Sequence, residues 1–199
     1  DAIVERMGQL GYVRVAMQGL AAHSALALGR TLEAEAILSS SAAAVDTPPA
    51  FRLRVELCQA RVDMARGRLR AADERLVALL ASVPDWLWEA KARCWRGVLS
   101  CWLGAVTLGK NELLIVIDDE RSDATIRVDA MLALARSSEG ALSEEHRVFI
   151  EHSGSPLQRL ASIGLGSRRA SEQELEAAVQ QARALAARGH EIVVSLPPL

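Results

Sequence analysis

The feature that most constrains this chain is a recurring helix stop. Ala25-Leu26-Ala27-Leu28-Gly29-Arg30 and Met64-Ala65-Arg66-Gly67-Arg68 each end a helical stretch in Gly-Arg, and Gly29 and Gly67 are 38 residues apart. The residues after each stop also repeat: Gly29-Arg30 leads to Ala34 and Leu38 at the spacing at which Gly67-Arg68 leads to Ala72 and Leu76. A glycine that takes the left-handed conformation lets one helix reverse into the next, and small Ala side chains let the paired helices approach closely. One such hairpin cannot bury its apolar face alone, so hairpins stack into arrays. Leu108-Gly109-Lys110 reads as a third turn of the same kind.

Composition agrees with a helical core. Half of the 199 residues are hydrophobic but only 4% are aromatic, so the apolar volume is largely Ala, Leu and Val. A chain of this length buries enough surface to need no covalent staples. The net charge of −2 argues against a nucleic-acid-binding surface, which requires a basic excess. Three cysteines, Cys58, Cys94 and Cys101, form no CxxC pair. They point to buried thiols in a reducing, cytoplasmic setting. The uncharged apolar run 97–109 is too short to span a bilayer, and no signal peptide is legible. The chain starts at Asp1, which suggests a fragment of a longer protein.

Periodicity predicts helices over 13–28, 31–44, 50–66, 69–82, 86–108 and 123–136. Asp46-Thr47-Pro48-Pro49 is a breaker, and Asp85 and Ser143 are N-cap candidates. In 50–66, Leu53, Leu57, Ala60 and Met64 form the apolar stripe, while Arg52, Glu56, Gln59 and Asp63 are expected on the solvent face. Residues 111–122 read as a strand, a buried helix or an insertion loop, since Leu113 to Ile117 is apolar and β-branched from Ile115 onward. Ser155-Pro156 opens a further helix, and Ser171 with Glu174 forms a capping box ahead of a stripe from Leu175 to Ala186. The tail from Glu191 to Leu196 reads as extended, closed by Pro197-Pro198.

The repeats resemble tetratricopeptide-like repeats. Arg147-Val148-Phe149-Ile150-Glu151-His152-Ser153-Gly154-Ser155-Pro156-Leu157, with Leu160, resembles a segment near the end of the helical-repeat domain in large LuxR-type bacterial transcription regulators of the MalT kind. The ending Ser195-Leu196-Pro197-Pro198-Leu199 is similar to the linker ahead of that family's DNA-binding helices. The resemblance implies a ligand- or partner-sensing module between an ATPase domain and a helix-turn-helix domain. Neither a GxxxxGK[ST] loop nor a helix-turn-helix is present in the chain, so it is expected to contact neither ATP nor DNA itself.

The expected fold is therefore all-α. It is a right-handed superhelical stack of antiparallel hairpins over 1–165, followed by a terminal helix and linker over 166–199. The expected function is binding, of a small-molecule inducer or a partner protein, with no catalytic residue, metal, cofactor or membrane contact; self-association is left open. Trp88, Trp95 and Trp102 lie seven apart, and with Ala92, Leu99 and Val106 they read as a packed seam. Trp86, expected to be the exposed tryptophan, and the opposite face of Glu89, Arg93, Arg96 and Ser100 are the candidate binding residues. Asp118-Asp119-Glu120 reads as a solvated turn, and His23, His146, His152 and His190 show no metal-ligand spacing. Two other readings remain. One is a generic docking scaffold. The other is a fragment of an α/β nucleotide- or sugar-dependent enzyme, suggested by the helix-to-strand step over 182–197.

Overall fold

The computed structural model describes residues 2–27, 29–39, 48–83, 85–137 and 142–153, together with residue 180. These contain eight helices and no strand: α1 (Ala2–Ala27), α2 (Thr31–Ser39), α3 (Pro49–Ala65), α4 (Leu69–Ser82), α5 (Trp86–Trp102), α6 (Val106–Asp118), α7 (Ala124–Ser137) and α8 (Glu144–Ser153). The all-α expectation holds for them. The second half of the 147–160 motif, the capping box at Ser171, the 166–199 segment with its tail, and the 182–197 step lie outside the described residues. The chain divides into two compact units, Asp1–Pro84 and Asp85–Leu199.

Three hairpins share one turn. Gly29, Gly67 and Gly104 all have positive φ, at 68°, 74° and 83°. At each, the glycine N–H donates to the carbonyl three residues back, and the next N–H donates to the carbonyl five back. The pairs are Gly29 to Leu26 and Arg30 to Ala25, Gly67 to Met64 and Arg68 to Asp63, Gly104 to Cys101 and Ala105 to Ser100. This is the Schellman arrangement, which satisfies carbonyls a helix end leaves open.

The third turn corrects the sequence reading. The predicted helix 86–108 stops at Trp102, and Gly109 is not a turn residue but sits inside α6. Gly104 is followed by Ala105 rather than Arg, so a search for Gly-Arg or Gly-Lys passes it over. Counting from Gly104 restores the repeat. Gly109 and Leu113 then occupy the places of Ala34 and Leu38, and of Ala72 and Leu76, and all six are buried. Residues 111–118 are accordingly the remainder of α6, the second helix of a hairpin, not a strand or an insertion.

Small residues set how closely the hairpins close. Ala22, Ala60 and Gly97 stand seven residues before their turn glycines, and Ala34, Ala72 and Gly109 five after; every one is buried. Contact is tightest in the third hairpin. A Cβ on Gly109 would lie 2.6 Å from the Gly97 carbonyl oxygen, and a Cβ on Gly97 would lie 2.7 Å from Leu113 Cγ. Neither position accepts alanine without separating the helices.

In the first unit, α3 packs against both α1 and α2. Cys58 and Val62 of α3 join Ala22, Ala25, Leu26, Ala34 and Leu38 in one cluster. In the second unit, α7 packs on both α5 and α6, with α8 against α7. Its core gathers Cys94, Leu113, Val116, Val128, Met131 and Ile150 among others. Asp85 and Ser143 are N-caps as expected: Asp85 Oδ1 accepts from Trp88 N at 3.1 Å and Ser143 Oγ from His146 N at 3.1 Å.

Candidate functional site

The face of α5 chosen from sequence does not stand open. Its charged residues converge on a carboxylate from α6. Glu112 is only 5% exposed. Arg93 Nη1 donates to Glu112 Oε2 at 2.6 Å and Arg96 Nη1 to Glu112 Oε1 at 2.8 Å, so each oxygen takes one guanidinium. Arg93 also reaches back one turn to Glu89, at 2.9 Å. Desolvation pulls the Arg93 guanidinium down, but its bonds to Glu112 and Glu89 outweigh this and hold it above its ordinary value. Ser100 is buried near the turn. Glu89, Arg93 and Arg96 are thus brought together, as the pairing surface of a hairpin rather than the lining of an open groove. Sequence reading passed over Glu112 because it stood at the start of a segment not assigned to a helix. Counting eight residues past Gly104 finds it.

Trp86 lies apart from them, and its expected exposure is also corrected. It is half-buried against the core of the second unit, and its Nε1 donates to Ser122 Oγ at 2.9 Å. The Arg121 guanidinium stacks 4.5 Å from the centroid of its ring, within cation–π range. Asp119 fixes Arg121 from the other side, with Arg121 Nη2 at 2.6 Å from Asp119 Oδ2. That bond is the main reason the Asp119 carboxyl is held below its usual range. Of the acidic turn, Asp119 is thus paired with Arg121, while Asp118 and Glu120 are exposed, as expected of a solvated turn. Of the other tryptophans, Trp88 is buried with Lys91 Nζ 4.8 Å from its ring centroid, Trp95 is half-buried and Trp102 is exposed. Val106 belongs to α6, not to the α5 seam in which it was expected.

An open concavity lies in the first unit, between α3 and α4. It measures ≈ 420 Å³, with Leu53 and Leu79 at its base, Ala71 and Ala78 beside them, and Glu56, Glu74, Arg75 and Ser82 bringing polar groups. That volume falls in the range of small-molecule sites. Arg75 is held by two carboxylates: Nη1 lies 2.5 Å from Glu56 Oε2 and Nε 3.3 Å from Asp63 Oδ2. Asp63, expected at the solvent face, is 4% exposed. It survives burial because Arg68 Nε, at 2.9 Å, takes its other oxygen. Arg68 continues to Glu35 of α2 at 2.7 Å, so one ionic chain crosses α2, α3 and α4. The groove can seat an apolar body beside a fixed guanidinium and two carboxylates. Sequence reading did not select these residues.

No cluster of three or more His, Cys, Asp or Glu side chains suited to a metal occurs among the described residues. His23 and His152 are occupied by Arg61 and by the Val148 carbonyl. Among these residues no helix is long and apolar enough to cross a membrane. Of the family-like motif, Ile150 is fully buried, and Phe149 carries the Arg127 guanidinium 4.6 Å from its ring centroid. Arg127 Nε also donates to the Ile117 carbonyl at the end of α6, so this one side chain ties α6, α7 and α8 together. Comparison with protein-family models finds no match, and comparisons with curated proteins and with solved structures find none.

Proposed function

We propose that this chain is a recognition module, the helical-repeat sensor part of a cytoplasmic LuxR-type bacterial transcription regulator of the MalT kind. The hairpins stack as a right-handed superhelix and hold a small inducer or a partner protein. Binding favours one arrangement of the stack, and that arrangement governs an adjoining helix-turn-helix. No covalent chemistry is required of the chain. The observation that carries the reading is the threefold recurrence of one glycine turn at Gly29, Gly67 and Gly104 with small residues at fixed distances on either side. The α3–α4 groove gives the module a place of suitable size for a small ligand. The Arg147–Ile150 segment, seated by Arg127 and the buried Ile150, is the part that favours the regulator over a generic docking scaffold.

Two measurements test it. The reading frame continued past Leu199 should encode a helix-turn-helix; a different domain there leaves only the scaffold. In the native-length protein, Ala78→Trp fills the groove from an exposed position. It should abolish induction of the target promoter while leaving the helical circular-dichroism signal intact. Full induction by that variant removes the groove from the account.

A further inference from the structure

We propose that the α3–α4 groove selects one class of small molecule: an organic cation, a protonated amine on a compact apolar body. The proposal rests on the reading of this groove as the ligand seat and adds the chemistry of the ligand. Leu53 and Leu79 at the base, with Ala71 and Ala78 beside them, accept hydrocarbon. Three ionisable side chains complete the lining, the carboxylates Glu56 and Glu74 and the guanidinium Arg75. In an apolar pocket a few polar groups decide what binds, so selectivity turns on which of the three still has binding capacity.

The guanidinium has little. Arg75 Nη1 lies 2.5 Å from Glu56 Oε2 and Nε 3.3 Å from Asp63 Oδ2, so two carboxylates already share its charge. Asp63 is buried, and drawing Arg75 away would leave that carboxylate with half its compensation. An incoming carboxylate or phosphate is left Nη2, on a lining that also carries Glu56 and Glu74.

The carboxylates have more. Glu56 is exposed and spends Oε2 on Arg75, while its Oε1 takes no bond among the described residues. Glu74 pairs with Arg70 one turn back on α4, Nε to Oε1 at 3.2 Å, with side chains 69% and 94% exposed. A pair so exposed contributes little and yields readily to another cation. The lining therefore keeps a surplus of negative charge. An ammonium enters at the cost of one weak surface pair, whereas an anion must compete with Glu56 and Asp63 for Arg75. Partial desolvation in the groove strengthens the ammonium–carboxylate attraction over its value in open water.

The test uses the 199-residue chain near neutral pH, where a primary amine is protonated and glutamate ionised. Three probes share a phenyl ring and differ in head group: phenethylamine, 2-phenylethanol and 3-phenylpropionate. Methyl NMR shifts at Leu53 and Leu79 report the affinity of each for this groove. The amine should bind at least about tenfold more tightly than the alcohol, and the carboxylate more weakly than either. Glu74→Gln, an exposed change, should weaken the amine by about threefold and leave the alcohol unmoved. Added salt should narrow the preference for the amine. A carboxylate bound as tightly as the amine, or amine and alcohol bound equally, overturns the cation proposal while leaving the groove as a ligand seat. Absence of any shift with the amine overturns it as well, and the induction response of Ala78→Trp then decides the groove by itself.

Discussion

Arg93 Nη1 lies 2.6 Å from Glu112 Oε2, and the pair occupies the repeat positions that Glu56 and Arg75 hold in the preceding hairpin with the charges exchanged. Both pairs place one residue eleven before the turn glycine and the other eight after it. The hairpin geometry brings these two positions together, and either polarity satisfies it. The first hairpin has Gln18 and Ile37 there, so an ion pair is not required for the turn to form. What differs in the third hairpin is burial: Glu112 is enclosed and needs both Arg93 and Arg96.

Glu112→Gln should therefore destabilise the second unit by about 2–3 kcal/mol, because it leaves two partly buried guanidiniums without their carboxylate. Urea denaturation followed at 222 nm measures this. Replacing Arg93, Arg96 and Glu112 together by Leu should restore most of the loss, since a buried ion cluster and an apolar one of similar volume are close in energy. An unchanged midpoint for the single variant would show that the cluster is not holding α5 to α6.

Glycines in turns and glycines in crossings should respond differently. Gly104→Ala retains open space but forces a left-handed conformation on a residue with a Cβ, at a cost of about 1 kcal/mol. Gly109→Ala has an ordinary helical backbone but no room, and should cost about 2–3 kcal/mol as α5 and α6 are pushed apart. Equal effects at the two positions, read by thermal melts, would contradict the close crossing at Gly97 and Gly109.

Thiol chemistry should follow burial. Desolvation pushes the Cys94 thiol far up, with Asp129 adding to it, and pushes Cys58 up against the opposing pull of Arg61 and Arg54. Native protein should show slow alkylation at both and faster alkylation at the half-buried Cys101. The same shifts fix a sign for stability. Above the unfolded thiol value near pH 9, the unfolded chain has lost protons that the folded chain keeps. Stability contributed by Cys94 is then complete below that pH and falls by about 1.4 kcal/mol per unit above it. Cys94→Ala should flatten that alkaline decline, and an identical slope in the variant would refute the assignment.

Trp86 reports on the turn that follows α6. Trp86→Phe removes the bond to Ser122 and should cost about 1 kcal/mol. Asp119 has its folded value depressed by Arg121, so its contribution is present above the unfolded carboxylate range near pH 4. It is lost as pH falls through the lower folded value. Acid titration should accordingly shift Trp86 emission over that window as Arg121 loses its anchor, and Asp119→Asn should abolish the shift. An acid transition in emission that persists in Asp119→Asn would place its origin elsewhere.

The helical class, the helix starts at Asp85 and Ser143, and the turns at Gly29 and Gly67 were all readable in the chain, because capping and left-handed glycine are local chemistry. Which glycine turned the third hairpin was not. Gly104 and Gly109 are the same residue to a local rule, and only the fit of Gly109 against Gly97 separates a crossing from a corner. The charged faces were misjudged for the same reason. Asp63 and the Glu89–Arg96 face look solvated on an isolated helix, and become buried or paired only when α4 and α6 fold back to supply Arg68, Arg75 and Glu112. Sequence alone determined that the described elements are helices, where α5 and α8 begin and where the first two hairpins reverse. Tertiary contact decided which polar groups are enclosed, since enclosure depends on partners brought from the far side of each turn.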